Sequence, residues 1–144
     1  MRSAIPTLLL ALVAAACVRN PPSHQLVQLD GDCVRIPRTI VADGGVHFFT
    51  YQYAGKNVNF LIRTDGNGSL HAHLDACYAC YRYKRGFVVE DHQLVCIACR
   101  LEYAISDELW DYIGACAPIT IHSAIEDDRV VIDESVLARA ARYF

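Results

Sequence analysis

A chain of 144 residues, 53% hydrophobic and 20% charged, has the length of one domain with a modest core. Its formal net charge of -3 disfavours a nucleic-acid surface, which needs clustered cations, and beyond residue 17 no apolar stretch approaches the roughly 18 residues of a membrane-spanning helix. Neither a Gly-x-Ser-x-Gly elbow nor a phosphate-cradling glycine loop occurs, and acid pairs such as Asp107-Glu108 and Asp127-Asp128 stand where acids are ordinary. No hydrolytic arrangement stands out, and the residues do not require an enzyme.

The chain opens with Met1-Arg2 and, after Pro6, the apolar run Leu8 to Ala16, which has the size of a signal-peptide core. Residues 1–16 read as an export signal. Ala14-Ala15-Ala16 places small residues directly before Cys17, an arrangement that resembles a bacterial lipobox with Ala14 where Leu is usual. Cys17 is thus expected to carry the lipid of an envelope-anchored, periplasm-facing protein, with plain cleavage after Ala16 as the alternative. Residues 17–33, with the turn-rich Asn20-Pro21-Pro22-Ser23-His24, read as the lipidated N-terminus and linker, and 34–144 as the folded domain.

The first strand signal follows Gly44-Gly45. From Val46 to Tyr53, His47, Phe49, Tyr51 and Tyr53 fall on one side and Val46, Phe48, Thr50 and Gln52 on the other. Ala54-Gly55-Lys56-Asn57 reads as a turn, Val58 to Thr64 as the returning strand, Asp65-Gly66-Asn67-Gly68 as a second turn and Ser69 to Leu74 as a third strand. That strand carries His71 and His73 on one face, an alternation able to bind copper, zinc or iron as a second metal site; the plainer account is two solvated histidines on an open face.

The strand delivers the chain to Cys77-Tyr78-Ala79-Cys80. A second pair, Cys96-Ile97-Ala98-Cys99, follows after the 15 residues Tyr81 to Val95, the spacing of a four-thiolate knuckle. Two residues between cysteines let both sulfurs of a tight turn face one point about 2.3 Å away, so two such turns supply the corners of a tetrahedron. Soft thiolates select zinc, iron or an iron-sulfur cluster. Cys77, Cys80, Cys96 and Cys99 are the expected ligands. Between them Phe87-Val88-Val89 and Leu94-Val95-Cys96, joined by Glu90 to Gln93, predict a small hairpin, as in ribbon-like knuckles. Tyr78, Tyr81 and Tyr83 are expected to shield the centre from water.

Tyr81 and Arg100 stand where covalent c-type haem requires His, and a thioredoxin-like centre would carry a single pair within a βαβ pattern. Disulfide pairing of the six cysteines after Cys17 remains the competing account in an oxidising exterior. Cys33 and Cys116 are left over: a bridge between them is one reading, and Cys116 as an extra ligand or redox thiol another.

Two helices are predicted. Ser106 can cap one carrying Asp107 and Glu108 in its first turn and ending at Gly114. The other begins near Asp133 and aligns Val136, Leu137, Ala140, Ala141 and Phe144 on one stripe. Between them, Ile119 to Ile125 and Arg129 to Ile132 read as a strand pair around Glu126-Asp127-Asp128. The expected fold is α+β, mostly β: a small antiparallel sheet, a ribbon-like knuckle with two Cys-x-x-Cys pairs, and a C-terminal helix.

Several motifs in order carry a resemblance: Asp75-Ala76-Cys77-Tyr78-Ala79-Cys80, Arg85-Gly86-Phe87, Cys96-Ile97-Ala98-Cys99, Gly114-Ala115-Cys116-Ala117-Pro118 and Tyr143-Phe144. From Ile36 to Phe144 the chain resembles the FtrD-like domain of bacterial membrane iron-sulfur proteins. The resemblance implies iron or an iron-sulfur cluster (with zinc as the alternative cofactor) on Cys77, Cys80, Cys96 and Cys99, with Cys116 matching the family's fifth cysteine. It also implies partners among iron-uptake machinery: an iron permease and extracytoplasmic metal or electron carriers. Arg100 and Ala117 depart from the Gly and Asn common in the family, and Arg100 would add a positive charge beside the thiolates.

Overall fold

A computed structural model describes residues 21–106 and 116–144. The expected export signal, Cys17 and nearly all of the helix expected from Ser106 to Gly114 lie outside the described residues.

The framework is a five-stranded sheet in the order β1 (Gln25–Val27), β4 (Val46–Tyr53), β5 (Lys56–Thr64), β6 (Leu70–Cys77), β10 (Pro118–Thr120). Its pairs are antiparallel except β1 with β4. A second sheet runs β11 (Ala124–Glu126), β12 (Arg129–Asp133), β3 (Cys33–Pro37), β2 (Leu29–Asp30), and a third runs β7 (Phe87–Glu90), β8 (Gln93–Cys96), β9 (Glu102–Ala104). The single helical turn α1 (Arg38–Val41) joins β3 to β4, and α2 (Glu134–Ala140) follows β12.

The large sheet is covered on both faces. On one, Phe49, Tyr51, Val58, Phe60, Ile62, Ala72 and Leu74 pack against Val34, Ile36, Val130 and Ile132 of the second sheet and Leu137, Ala140 and Ala141 of the helical end. On the other, Phe48, Leu61 and Cys77 pack against Phe87, Leu94, Cys96 and Tyr103 of the third sheet. A strand buried on both sides needs apolar residues at consecutive positions, which is why Phe60-Leu61-Ile62 interrupts the alternation of a half-exposed strand. The third sheet lies against the large one and brings the second cysteine pair to the first.

Local chemistry sets the hairpins. Tyr53 pairs with Lys56, Glu90 with Gln93 and Glu126 with Arg129, so each loop holds two residues, tighter than the four-residue turns expected at the first two and the three-residue turn expected at the third. Both loop residues have positive φ in every case (Ala54-Gly55, Asp91-His92, Asp127-Asp128), the backbone that matches the twist of the flanking strands. Helix α2 starts where expected: Asp133 accepts a hydrogen bond from the Ser135 N–H at 2.7 Å, capping its first turn. Its apolar stripe reaches the core through Leu137 and Ala140, and the Tyr51 hydroxyl donates to Glu134 at 2.6 Å.

Two expectations are corrected. The run Ile119 to Ile125 is not one strand: β10 pairs with β6 in the large sheet, and β11 pairs with β12 in the second. Periodicity marks both segments as extended but cannot state which sheet each joins. The segment 17–33 is also more than a linker, since β1, β2 and the start of β3 lie in sheets.

Candidate metal centre

Strand β6 builds the first half of the site. Its pleat places His71, His73, Asp75 and Cys77 on the face toward the third sheet, and Cys77 is buried. At the strand's end the chain turns so tightly that the Cys80 N–H donates to the Cys77 sulfur at 3.2 Å. A 3-10 turn, Tyr81–Tyr83, ends on Lys84 in the left-handed region and leads through Gly86 into β7.

The second half comes from the β7–β8 hairpin, whose first pair is Phe87 with Cys96. The Arg100 N–H closes the Cys96–Cys99 turn on the Cys96 carbonyl at 2.8 Å, and the Ile97 N–H donates to the Gly86 carbonyl at 3.0 Å. A third segment adds Cys116, just before β10, whose Pro118 lies opposite Cys77.

Three segments thus bring five thiols together. The sulfurs of Cys77, Cys80 and Cys116 lie within 4.8 Å of one another, as do those of Cys80, Cys96 and Cys99. Thiolates held about 2.3 Å from a tetrahedral ion would lie about 3.8 Å apart, so this spacing suits a soft metal. Among the described residues every cysteine is a free thiol, including Cys33 and Cys116. The Cys33–Cys116 bridge does not form, because Cys33 sits in the second sheet opposite Asp133 whereas Cys116 belongs to the thiol cluster.

Burial and mutual contact divide the thiols. Burial pushes Cys80 and Cys96 up, reinforced at Cys80 by thiol contacts with Cys77 and Cys99, and it pushes Cys116 up to about 11. Cys99 goes the other way. Burial also disfavours its thiolate, but hydrogen bonds from the Leu101 N–H and from the thiols of Cys96, Cys116 and Cys80 outweigh that and lower its pKa. Of these four thiols, exposed Cys99 is therefore the one whose ionised form its neighbours favour. The Tyr103 hydroxyl is pushed up by burial and by the thiolates of Cys116, Cys99, Cys77 and Cys96.

Asp75 locks the two halves in register, a role not read from the sequence. It is only 6% exposed; one oxygen accepts the Phe87 N–H at 2.7 Å and the other meets His24 Nε2 at 2.8 Å. Gly86 is required beside it, because a Cβ there would lie 2.5 Å from both carboxylate oxygens and φ is +65°. The available signal was pleat arithmetic: Asp75, two residues before Cys77, must share its face. Beside this contact opens a cleft of about 530 Å³, lined on one wall by Cys77, Cys80 and Cys96 and elsewhere by His24, Lys84, Arg85 and Tyr143.

The tyrosines shield less than expected. Tyr78 is 59% and Tyr83 61% exposed, and Tyr81 lines the cleft, edge-on to Tyr143. Water is excluded on the core side by Phe48, Phe87, Leu94 and Tyr103. His71 and His73 are not on an open face. His71 Nε2 meets Asp65 at 2.7 Å, while buried His73 lies near-parallel to His71, ring centroids 6.4 Å apart, with Nδ1 3.3 Å from the Thr120 hydroxyl. Among the described residues, the groups of three or more candidate ligands gathered this closely are both made of cysteines. Arg100 keeps the left-handed φ (+66°) that favours glycine, and its guanidinium forms two hydrogen bonds with Glu90 at 2.7 and 3.2 Å. Its charge is thereby tied to a carboxylate beside the site.

A β-rich scaffold that gathers cysteines from two Cys-x-x-Cys turns and a third segment defines a thiol-cluster protein whose donor set could hold a metal ion. The model of one family, described as membrane iron-sulfur containing protein FtrD-like, matches residues 41–144, and the chain belongs to that family. No curated protein matches it. No helix among the described residues is long and apolar enough to cross a membrane.

Proposed function

We propose that the thiol cluster holds iron or an iron-sulfur cluster and that the protein is an electron or iron carrier of bacterial iron uptake. A lipid on Cys17 would tether it on the periplasmic side of the envelope. The observation that carries this reading is the gathering of Cys77, Cys80, Cys96 and Cys99, with Cys116, into one cluster against an apolar wall. Such a donor set suits soft or iron-containing centres and leaves little role for hard cations such as magnesium or calcium. The family's description, membrane and iron-sulfur, supports the same chemistry and an association with a membrane.

Iron bound by thiolates supplies one-electron exchange at a potential set by charge, hydrogen bonds to sulfur and exposure. The chain's own residues set those three conditions. Phe48, Phe87 and Leu94 exclude water on the core side, the Cys80 and Leu101 N–H groups donate to the Cys77 and Cys99 sulfurs, and exposure falls on Cys99 and the half-buried Cys80 and Cys116 while Cys77 and Cys96 stay buried. Partners on this reading are an iron permease and extracytoplasmic metal or electron carriers.

Metal analysis and a visible spectrum of anaerobically purified protein test the proposal. Iron at stoichiometric level, with absorbance that bleaches on reduction, is expected. A colourless zinc protein would replace the carrier with a structural metal module, and a protein purified without metal whose thiols cycle reversibly with disulfides would replace it with a thiol carrier.

A further inference from the structure

The cluster contains one more cysteine than a single tetrahedral ion can use, and the five sulfurs are not evenly arranged. They form two triads, Cys77-Cys80-Cys116 and Cys80-Cys96-Cys99, with Cys80 common to both, and the Cys116 thiol meets Cys99 where the triads adjoin. Each triad keeps one Cys-x-x-Cys pair whole and completes it with a sulfur from elsewhere in the chain: Cys116 for the first, Cys80 for the second.

We propose that the centre has two metal positions, one in each triad, bridged by the Cys80 sulfur. The proposal rests on the reading that these cysteines bind metal and specifies how many ions they take. Three thiolates about 2.3 Å from one ion lie about 4 Å apart, inside the 4.8 Å within which each triad gathers. Charge favours the same arrangement. Five thiolates around two divalent ions carry one net negative charge, whereas four thiolates around one ion carry two and leave the fifth thiol without a ligand role. In a site with an apolar wall, the smaller net charge costs less desolvation.

The positions differ in access. Cys77 is buried with Cys80 and Cys116 half-buried around it, whereas the second position includes Cys99, the one exposed thiol of the five. The first is therefore the retained position and the second the exchangeable one. Each has three thiolates and so a fourth coordination place for water or an exchanging ligand. The ions that fit are thiophilic divalent ones.

Cadmium tests this, being a thiophilic divalent probe with an NMR-active isotope. The metal-free protein, titrated anaerobically with 113Cd(II), is expected to bind two ions per chain of unequal affinity. Two 113Cd resonances should appear, each split by the other through the shared sulfur. Cys116→Ser should lose one ion and leave the other as a singlet, and Cys80→Ser should abolish the splitting. A single ion and a single resonance in the unaltered protein, unchanged by Cys116→Ser, would overturn the two-position site while leaving a metal centre intact. Two resonances without mutual splitting would overturn the shared sulfur. No cadmium bound at all would overturn both this proposal and the metal reading beneath it. Stoichiometry and splitting are read on the unaltered protein, so the proposal stays testable even if a variant fails to fold.

Discussion

Gly86→Ala probes the joint between the two cysteine turns. The new methyl group would have to occupy space 2.5 Å from both Asp75 oxygens, and the backbone at residue 86 would have to hold φ at +65° with a side chain attached. The conformational cost is about 1 kcal/mol. Relieving the clash means pushing Asp75 and residue 86 apart, which breaks the buried, charge-assisted hydrogen bond from the Phe87 N–H, worth about 1.5–3 kcal/mol. The variant should lose about 2.5–4 kcal/mol in all. Because Phe87 pairs with Cys96 and the Gly86 carbonyl accepts from Ile97, the shift should also displace the second cysteine turn and lower metal retention. Gly55→Ala is the matched control: φ there is +77° with nothing within 4 Å of the added carbon, so it carries the conformational cost of about 1 kcal/mol alone. Urea unfolding of the metal-free variants, compared at equal m-value, measures the difference. If Gly86→Ala is no less stable than Gly55→Ala, Asp75 does not hold the two halves together as argued.

Three further outcomes are expected. In metal-free protein at pH 8, Cys99 should be alkylated by iodoacetamide well before Cys80, Cys96 and Cys116, because it alone of these four is exposed and has its pKa lowered; peptide mass mapping over a time course reads the order. Asp43, Asp65 and Asp133 are held below the usual carboxylate range, chiefly by His47, His71 and Ser135, so the folded state binds their protons less readily than the unfolded chain. Their contribution is present above the unfolded value near pH 4 and lost as pH falls through the folded values, so metal-free stability should decline below about pH 4, less steeply in Asp65→Asn; equal slopes for the two proteins would count against it. Arg100→Gly should be more stable than Arg100→Ala by about 1 kcal/mol, since both lose the pair with Glu90 but only glycine relieves the left-handed backbone; chemical denaturation of the two variants decides.

Where the controlling interaction spans a few residues, it could be read from the chain. The Cys-x-x-Cys turns, the hairpins around Gly55 and Asp91-His92, and the Asp133-capped C-terminal helix all arise from spacing, turn conformation or capping within one short segment. The two-faced character of Val46 to Tyr53 was legible for the same reason: Phe49, Tyr51 and Tyr53 line one core, and Val46 and Phe48 the other.

Long-range placement decided the rest. Cys116 is 17 residues beyond Cys99 in the sequence, and only the pairing of β10 with β6 brings it to the first cysteine turn, in place of the bridge to Cys33 that counting alone allowed. Likewise β10 and β11 read as one strand because a single extended pattern describes both, until each finds its own sheet. Asp75 and Gly86 owe their roles to a contact between backbone and carboxylate across eleven residues of chain, and His24 reaches the same carboxylate from the segment read as linker. The chain alone determined which residues carry soft-metal chemistry and where it turns, because spacing and turn preference are local. The tertiary structure decided how many sulfurs meet and what holds them in register, because those depend on which sheets and segments pack together, and no local pattern encodes that choice.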